Sequence, residues 1–102
     1  MNIRKVETNK KQYLTLLLLA DEQENMVDRY LERGTMYVLE DNGVKAECVV
    51  TDEGDGVLEL KNIAVEPEFQ GRGYGKALVD FLIQTYGGQY HVLQVGTGDS
   101  PL

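Results

Sequence analysis

Residues 62–83, NIAVEPEFQGRGYGKALVDFLI, run from an apolar strand-like segment through a glycine-rich turn into an amphipathic helix. Gly71, Gly73 and Gly75 alternate with Arg72 and Tyr74, and Lys76 follows. Glycine tolerates positive φ and lets a ligand approach the backbone closely. The first N–H groups of a helix lack internal partners, and the helix dipole favours negative charge there. Two cations within one turn of a helix start, in an acidic chain, make this a phosphate-binding design. The plainer alternative is a loop whose glycines only allow tight strand–helix packing. Two familiar phosphate motifs fail. Lys76 stands where the dinucleotide-binding G-x-G-x-x-G needs its third glycine. Gln70 stands where a P-loop needs its first, and Ala77 follows the lysine in place of Ser or Thr.

Working outward, the 102 residues suit one domain, 1–102, with 42% hydrophobic residues for a modest core. The longest purely apolar run, Leu16 to Ala20, is too short for a membrane span or a signal sequence. A cytoplasmic, membrane-free protein is expected. Cys48 and His91 are the only residues of their types, so a metal cluster lacks ligands and an internal disulfide is impossible. The net charge of −7 argues against a nucleic-acid partner and favours a cationic one.

NIRKV near the start reads as a strand. Residues 10 to 20 carry Tyr13, Leu14, Leu17 and Leu18 at helical spacing. Asp21, three residues before Glu24, is a capping pair for a second helix that Gly34 stops. TMYVLE, the DNG turn and VKAECVVT make a hairpin, DEGDG turns again, and VLELKNIAV is a third strand of this run. A helix over Gly73 to Tyr86 leads to a last strand, YHVLQVG, and TGDSPL closes without regular structure. The fold class is α+β, mixed α/β, in the order β-α-α-β-β-β-α-β: an antiparallel meander and one strand–helix–strand crossover.

QGRGYG, set after NIAVEPEF and before an amphipathic helix, resembles the Q/R-x-x-G-x-G/A signature of the GNAT superfamily of acetyl-CoA-dependent N-acetyltransferases. The element order over residues 1 to 96 is similar too. The resemblance implies acetyl-CoA (coenzyme A) as cofactor, its pyrophosphate held by main-chain N–H groups of Gln70, Gly71, Arg72, Gly73, Tyr74, Gly75 and Lys76. It implies that Ile63, Ala64 and Val65 pair with the pantetheine amides as an added strand would. The N–H of Val65 would stabilise the thioester oxygen as it gains charge.

Acetyl transfer needs a neutral amine, hence a base within reach. Glu59 is the candidate. Strict alternation places it on one face with Lys61, Ile63 and Val65, and family members of the histone-modifying type carry a catalytic glutamate at this spacing. The alternatives are a solvated glutamate or a partner for Lys61. Glu66 is a lesser candidate at the start of the turn. Relatives often use a tyrosine on a last helix as acid; no tyrosine here matches that role. Asp99 falls where many relatives have an asparagine touching the cofactor, with a turn aspartate the plainer reading. Ser100 lacks a nucleophile context, His91 opens a strand, and Cys48 alternates with Ala46 and Val50 as a small buried hydrophobe.

Two functions stay open: an N-acetyltransferase acting on a primary amine by direct attack, and a CoA- or acyl-CoA-binding module or fragment without turnover. A ligand-free interaction domain is the third, against which the phosphate turn weighs. The acceptor, small molecule or protein, is not legible. The family's fold continues with a further helix and strands, so the domain reads as C-terminally incomplete. YHVLQVG is then expected as an open edge, leading to a homodimer through that edge or a fragment of a longer protein.

Overall fold

The computed structural model describes the backbone of residues 1–95 and 98–101. Strand β1 (Asn2–Lys5) is followed by a 3-10 turn (Lys10–Tyr13) that leads into α1 (Leu14–Ala20), and then by the single-turn α2 (Glu24–Val27). Next come β2 (Thr35–Glu40), β3 (Val44–Gly54) and β4 (Val57–Val65). A second 3-10 turn (Pro67–Phe69) leads to α3 (Tyr74–Tyr86), β5 (Val92–Val95) and β6 (Gly98–Pro101). The strands form one sheet in chain order. Every neighbouring pair is antiparallel except β4 and β5, which run parallel on either side of the α3 crossover. The expected meander and crossover are both present.

Two apolar layers hold the sheet. On one face Leu78 and Leu82 of α3 pack on Tyr37, Leu39, Ala46, Cys48, Val50, Leu58, Leu60 and Leu93. On the other, Leu17 of α1, Val27 of α2 and Leu31 pack on Met36, Val38 and Val49. Cys48 is buried in the α3 layer, as its alternation implies.

Three expectations need correction. The second helix is not continuous to Gly34: after Val27 the chain goes on in turns closed by Leu31 N–H to Val27 O (3.0 Å) and Gly34 N–H to Tyr30 O (2.9 Å), and Lys10 Nζ donates to the Leu31 and Gly34 carbonyls at 2.9 and 2.7 Å. Asp21 does not cap α2; it ends α1, and its carboxylate accepts the Tyr30 hydroxyl at 3.2 Å. The segment after Thr97 is not irregular and β5 is not an open edge, since β6 pairs along β5 from Val92↔Pro101 to Val95↔Gly98. Pro101 fits there because an outer strand needs no donor on its free side. Gly96, Thr97 and Leu102 lie outside the described residues. Among the described residues no helix is long and apolar enough to cross a membrane.

Candidate active site

Among the described residues, strands β4 and β5 pair in register from Val57↔Val92 to Leu60↔Val95. Past Leu60, β4 continues to Val65 bonded only to β3 among the described strands. The Glu66 N–H donates to Lys45 O (2.8 Å) on the β3 side. Because successive N–H groups along a strand point to opposite sides, Ile63 and Val65 turn theirs toward the open edge. The Val65 carbonyl points there as well and accepts Gln70 Nε2 at 3.2 Å. A cavity of about 290 Å³ lies at this opening, lined by Leu19, Ile63, Ala64, Val65, Gln70 and Gly75.

The glycine turn stands at one end of that cavity. Gly71 (φ 80°) and Gly73 (φ 90°) are left-handed, a conformation that strains other residues. A Cβ at either would meet nothing within 4 Å, so backbone conformation alone demands glycine and the space beside it is free. Gly73 is the N-cap of α3, no side chain caps it, and its carbonyl accepts the first intrahelical bond from Ala77 N–H (2.9 Å). The N–H groups of Tyr74, Gly75 and Lys76 therefore have no helical partner. The Phe69 ring, on the preceding 3-10 turn, carries Arg72 at 5.0 Å and Lys45 at 4.6 Å from its centre. The Tyr74 hydroxyl donates to Asp41 (2.7 Å), tying the turn to the β2–β3 loop. Lys76 pairs with Asp80 (2.7 Å) one helical turn on, which raises its pKa.

Glu59 is not on the face that strict alternation assigns. The register passes from Val49↔Asn62 to Val50↔Leu60, leaving Lys61 as an extra, bulged residue. A bulge inverts alternation beyond it. Ile63 and Val65 therefore face α3 with Leu60, whereas Glu59 shares the α1 face with Asn62 and Ala64. Its carboxylate is engaged by Lys61 Nζ at 2.7 Å. Asp99 stands opposite Gln94 in the backbone pairing of β6, and its side chain lies outside the described residues.

The α1 face holds a polar group that the sequence reading passes over. Glu47, on β3, is fully buried, and neither carboxylate oxygen has a hydrogen-bond partner. Burial raises its pKa to about 8. Asn62 donates from Nδ2 to Leu17 O and to the Tyr30 hydroxyl, both at 3.0 Å, and its Oδ1 has no partner. One signal for Glu47 was present: in VKAECVVT it is the lone carboxylate between apolar residues. Lys45, Phe69 and Leu19 were also missed, because only the fold brings β3, the 3-10 turn and α1 to this opening.

A family model described as the acetyltransferase (GNAT) domain matches residues 32–99. The uncharacterized N-acetyltransferase YvbK of Bacillus subtilis (strain 168) is 34% identical over 110 aligned positions, covering all of this chain and 70% of that protein. The solved IAA acetyltransferase from Bacillus cereus ATCC 14579 is 34% identical with a TM-score of 0.82, over 95% of this chain and 67% of that one. A GNAT family acetyltransferase from Elizabethkingia anophelis, solved with acetyl-CoA bound, is 31% identical with a TM-score of 0.87, over 95% of this chain and 65% of that one. The chain thus spans about two thirds of the length of these relatives.

Proposed function

Because this chain belongs to the GNAT acetyltransferase family, we propose that it transfers the acetyl group of acetyl-CoA to a primary amine by direct attack, without a covalent enzyme intermediate. The observation that carries this is the edge of β4, unpaired among the described strands, running up to a helix start with no side-chain cap. An extended ligand with amide groups pairs with such an edge as a strand does. Its phosphates then meet the N–H groups from Gly71 to Lys76 and the positive charge of Arg72. In this reading the thioester lies beside Ile63–Val65, where the Val65 N–H is aimed at the oxygen that gains charge. The acceptor approaches from the α1 side, past Leu19 and Ala64. Its proton goes to a carboxylate on that face, with Glu59 and Glu47 the candidates.

A CoA-binding module without turnover is the second reading. It is favoured by the cavity lining, in which no described residue is ionisable and so none can protonate the leaving thiolate. A cytoplasmic location belongs to the proposal, and self-association would run through β6 rather than β5. The test is calorimetry with CoA followed by free-thiol release with a panel of primary amines. Binding with release supports transfer, binding without release supports the module, and no binding rejects both.

A further inference from the structure

Among the described residues, three buried hydrogen-bond acceptors on the α1 face lack partners: both oxygens of Glu47 and Oδ1 of Asn62. Glu47 stands opposite Ala64, and Asn62 opposite Val49, so the two are diagonal neighbours on one sheet face. Diagonal neighbours lie about 7–8 Å apart, within reach of long side chains. Once Glu47 ionises, the set has acceptors to spare and no free donor, and a buried carboxylate left so is costly. A group with several N–H or O–H donors is the chemical complement. The location is specific as well. Ala64 lines the cavity at the open β4 edge and is the residue directly opposite Glu47 in the β3–β4 pairing. Glu59 is five residues from Ala64, roughly 17 Å along an extended strand, and is held by Lys61.

We propose that Glu47 is the terminal proton acceptor of the reaction, taking the proton of the acceptor's primary ammonium through a water held between its carboxylate and Asn62 Oδ1. This rests on the acetyl-transfer reading. The ammonium gives one N–H proton to the water, and the water gives one of its own to Glu47, leaving a neutral amine and a neutral carboxyl. The nitrogen lone pair forms the C–N bond with the thioester carbonyl carbon. The C–S bond breaks, sulfur leaves with its electron pair, and it takes the proton that nitrogen sheds as the amide forms. The raised pKa of Glu47 suits the role, since a base titrating near the working pH accepts protons most effectively.

Few other ionisable groups act on this carboxyl. Tyr30 packs over the same face with its own pKa raised, chiefly by burial, and its hydroxyl is committed to Asp21 and Asn62. On β3 itself, Lys45 reaches away to Phe69 and the Cys48 thiol is in the α3 layer. On β4, Glu59 and Lys61 are paired with each other, and β2 presents Val38 opposite Glu47.

The test is the pH dependence of thiol release by the full protein with a turned-over primary amine. Wild type is expected to show a rising limb with its midpoint in the range of Glu47. In Glu47→Gln that limb disappears and kcat falls by roughly 10²- to 10⁴-fold, with CoA affinity unchanged; in Glu59→Gln the limb persists, whatever the rate. A limb that survives in Glu47→Gln, or vanishes in Glu59→Gln, overturns the proposal. A second measurement needs no variant. With glutamate labelled at Cδ and CoA saturating, n-butylamine should lower the titration midpoint of the high-titrating glutamate by about one unit, the shift a nearby positive charge gives. An unmoved midpoint overturns the assignment. Wild type that binds CoA but releases no thiol counts against acetyl transfer, and the amine-dependent midpoint then decides the role of Glu47 alone.

Discussion

Glu47 on β3 lies directly opposite Ala64 on β4, and both side chains stand on the α1 face of the sheet. The carboxyl is thereby fully buried beside the wall of the cavity. Its folded pKa is raised from 4.5 to about 8 by burial. A raised carboxyl value means that the folded state keeps its proton after the unfolded chain has lost it. The contribution of this group to stability is therefore full below about pH 4.5 and is lost as pH rises through about 8. Urea midpoints measured at pH 5 and pH 8 should drop with pH in wild type and drop markedly less in Glu47→Gln. Equal slopes in the two proteins would place the carboxyl in a solvated site.

The glycine turn gives a prediction about the ligand. Gly73→Val puts a β-branched residue at φ 90° and fills space that is open to a ligand. CoA affinity should fall at least ten-fold, with Tm lowered by the strain. Gly75→Ala is the contrast for folding alone. Its Cβ would sit 3.8 Å from Val65 Cγ2, an ordinary contact, and Ala favours the helix. Its Tm should hold or rise. Chemical shifts on adding CoA should cluster at residues 63–65 and 70–76, and shifts confined to α1 and α2 would contradict the site.

These two cases mark what the sequence could disclose. Gly71 and Gly73 were legible because their requirement is local: a strand, positive-φ residues and a helix start follow one another in the chain. The face of Glu59 was not, because period-two alternation presumes an unbroken ladder and the bulge at Lys61 shows only against β3. The burial of Glu47 depends on Leu17 and Tyr30 being folded over its face, a contact between distant segments. Asp21 and Glu24 carry the spacing of a cap, yet the Tyr30 hydroxyl takes Asp21 and Lys11 takes Glu24 at 2.8 Å. Strand β6 is legible only from its partner, since GDSP has no strand pattern of its own.

Phe69 is predicted to act on cofactor affinity without touching phosphate. Its ring organises Arg72 and Lys45, whose distances to its centre are 5.0 and 4.6 Å. An exposed cation–π contact is worth roughly 0.5–1 kcal/mol. Phe69→Leu should weaken CoA binding about two- to five-fold at low salt, and the difference should shrink as salt screens the two cations. An unchanged Kd in calorimetry at low salt would mean that the stack does not serve the ligand.

The last prediction concerns Asn62→Asp, which exchanges NH₂ for oxygen with almost no change in shape. Asn62 donates to Leu17 O and to the Tyr30 hydroxyl, both at 3.0 Å, so its amide ties α1 and the turn after α2 to β4. An ionised Asp has no donor. Its oxygen would face the Leu17 carbonyl, acceptor against acceptor, while a second buried carboxyl, Glu47, stands on the same face. Burial and that neighbour both disfavour the charged form, so the new group's folded pKa lies above its unfolded value. By the sign of the linkage its stability is kept at low pH, where the protonated carboxyl still donates one bond, and is lost as pH rises. Asn62→Asp should therefore be only modestly less stable than wild type at pH 4.5 and several kcal/mol less stable at pH 8, the range seen when buried polar partners are broken and charge is left unpaired. Asn62→Leu separates the two effects: it loses the hydrogen bonds but gains no charge, so its deficit relative to wild type should not grow with pH. Denaturant titrations of the three proteins at both pH values decide it, and an Asp variant whose deficit is independent of pH would show that water reaches this face of the sheet.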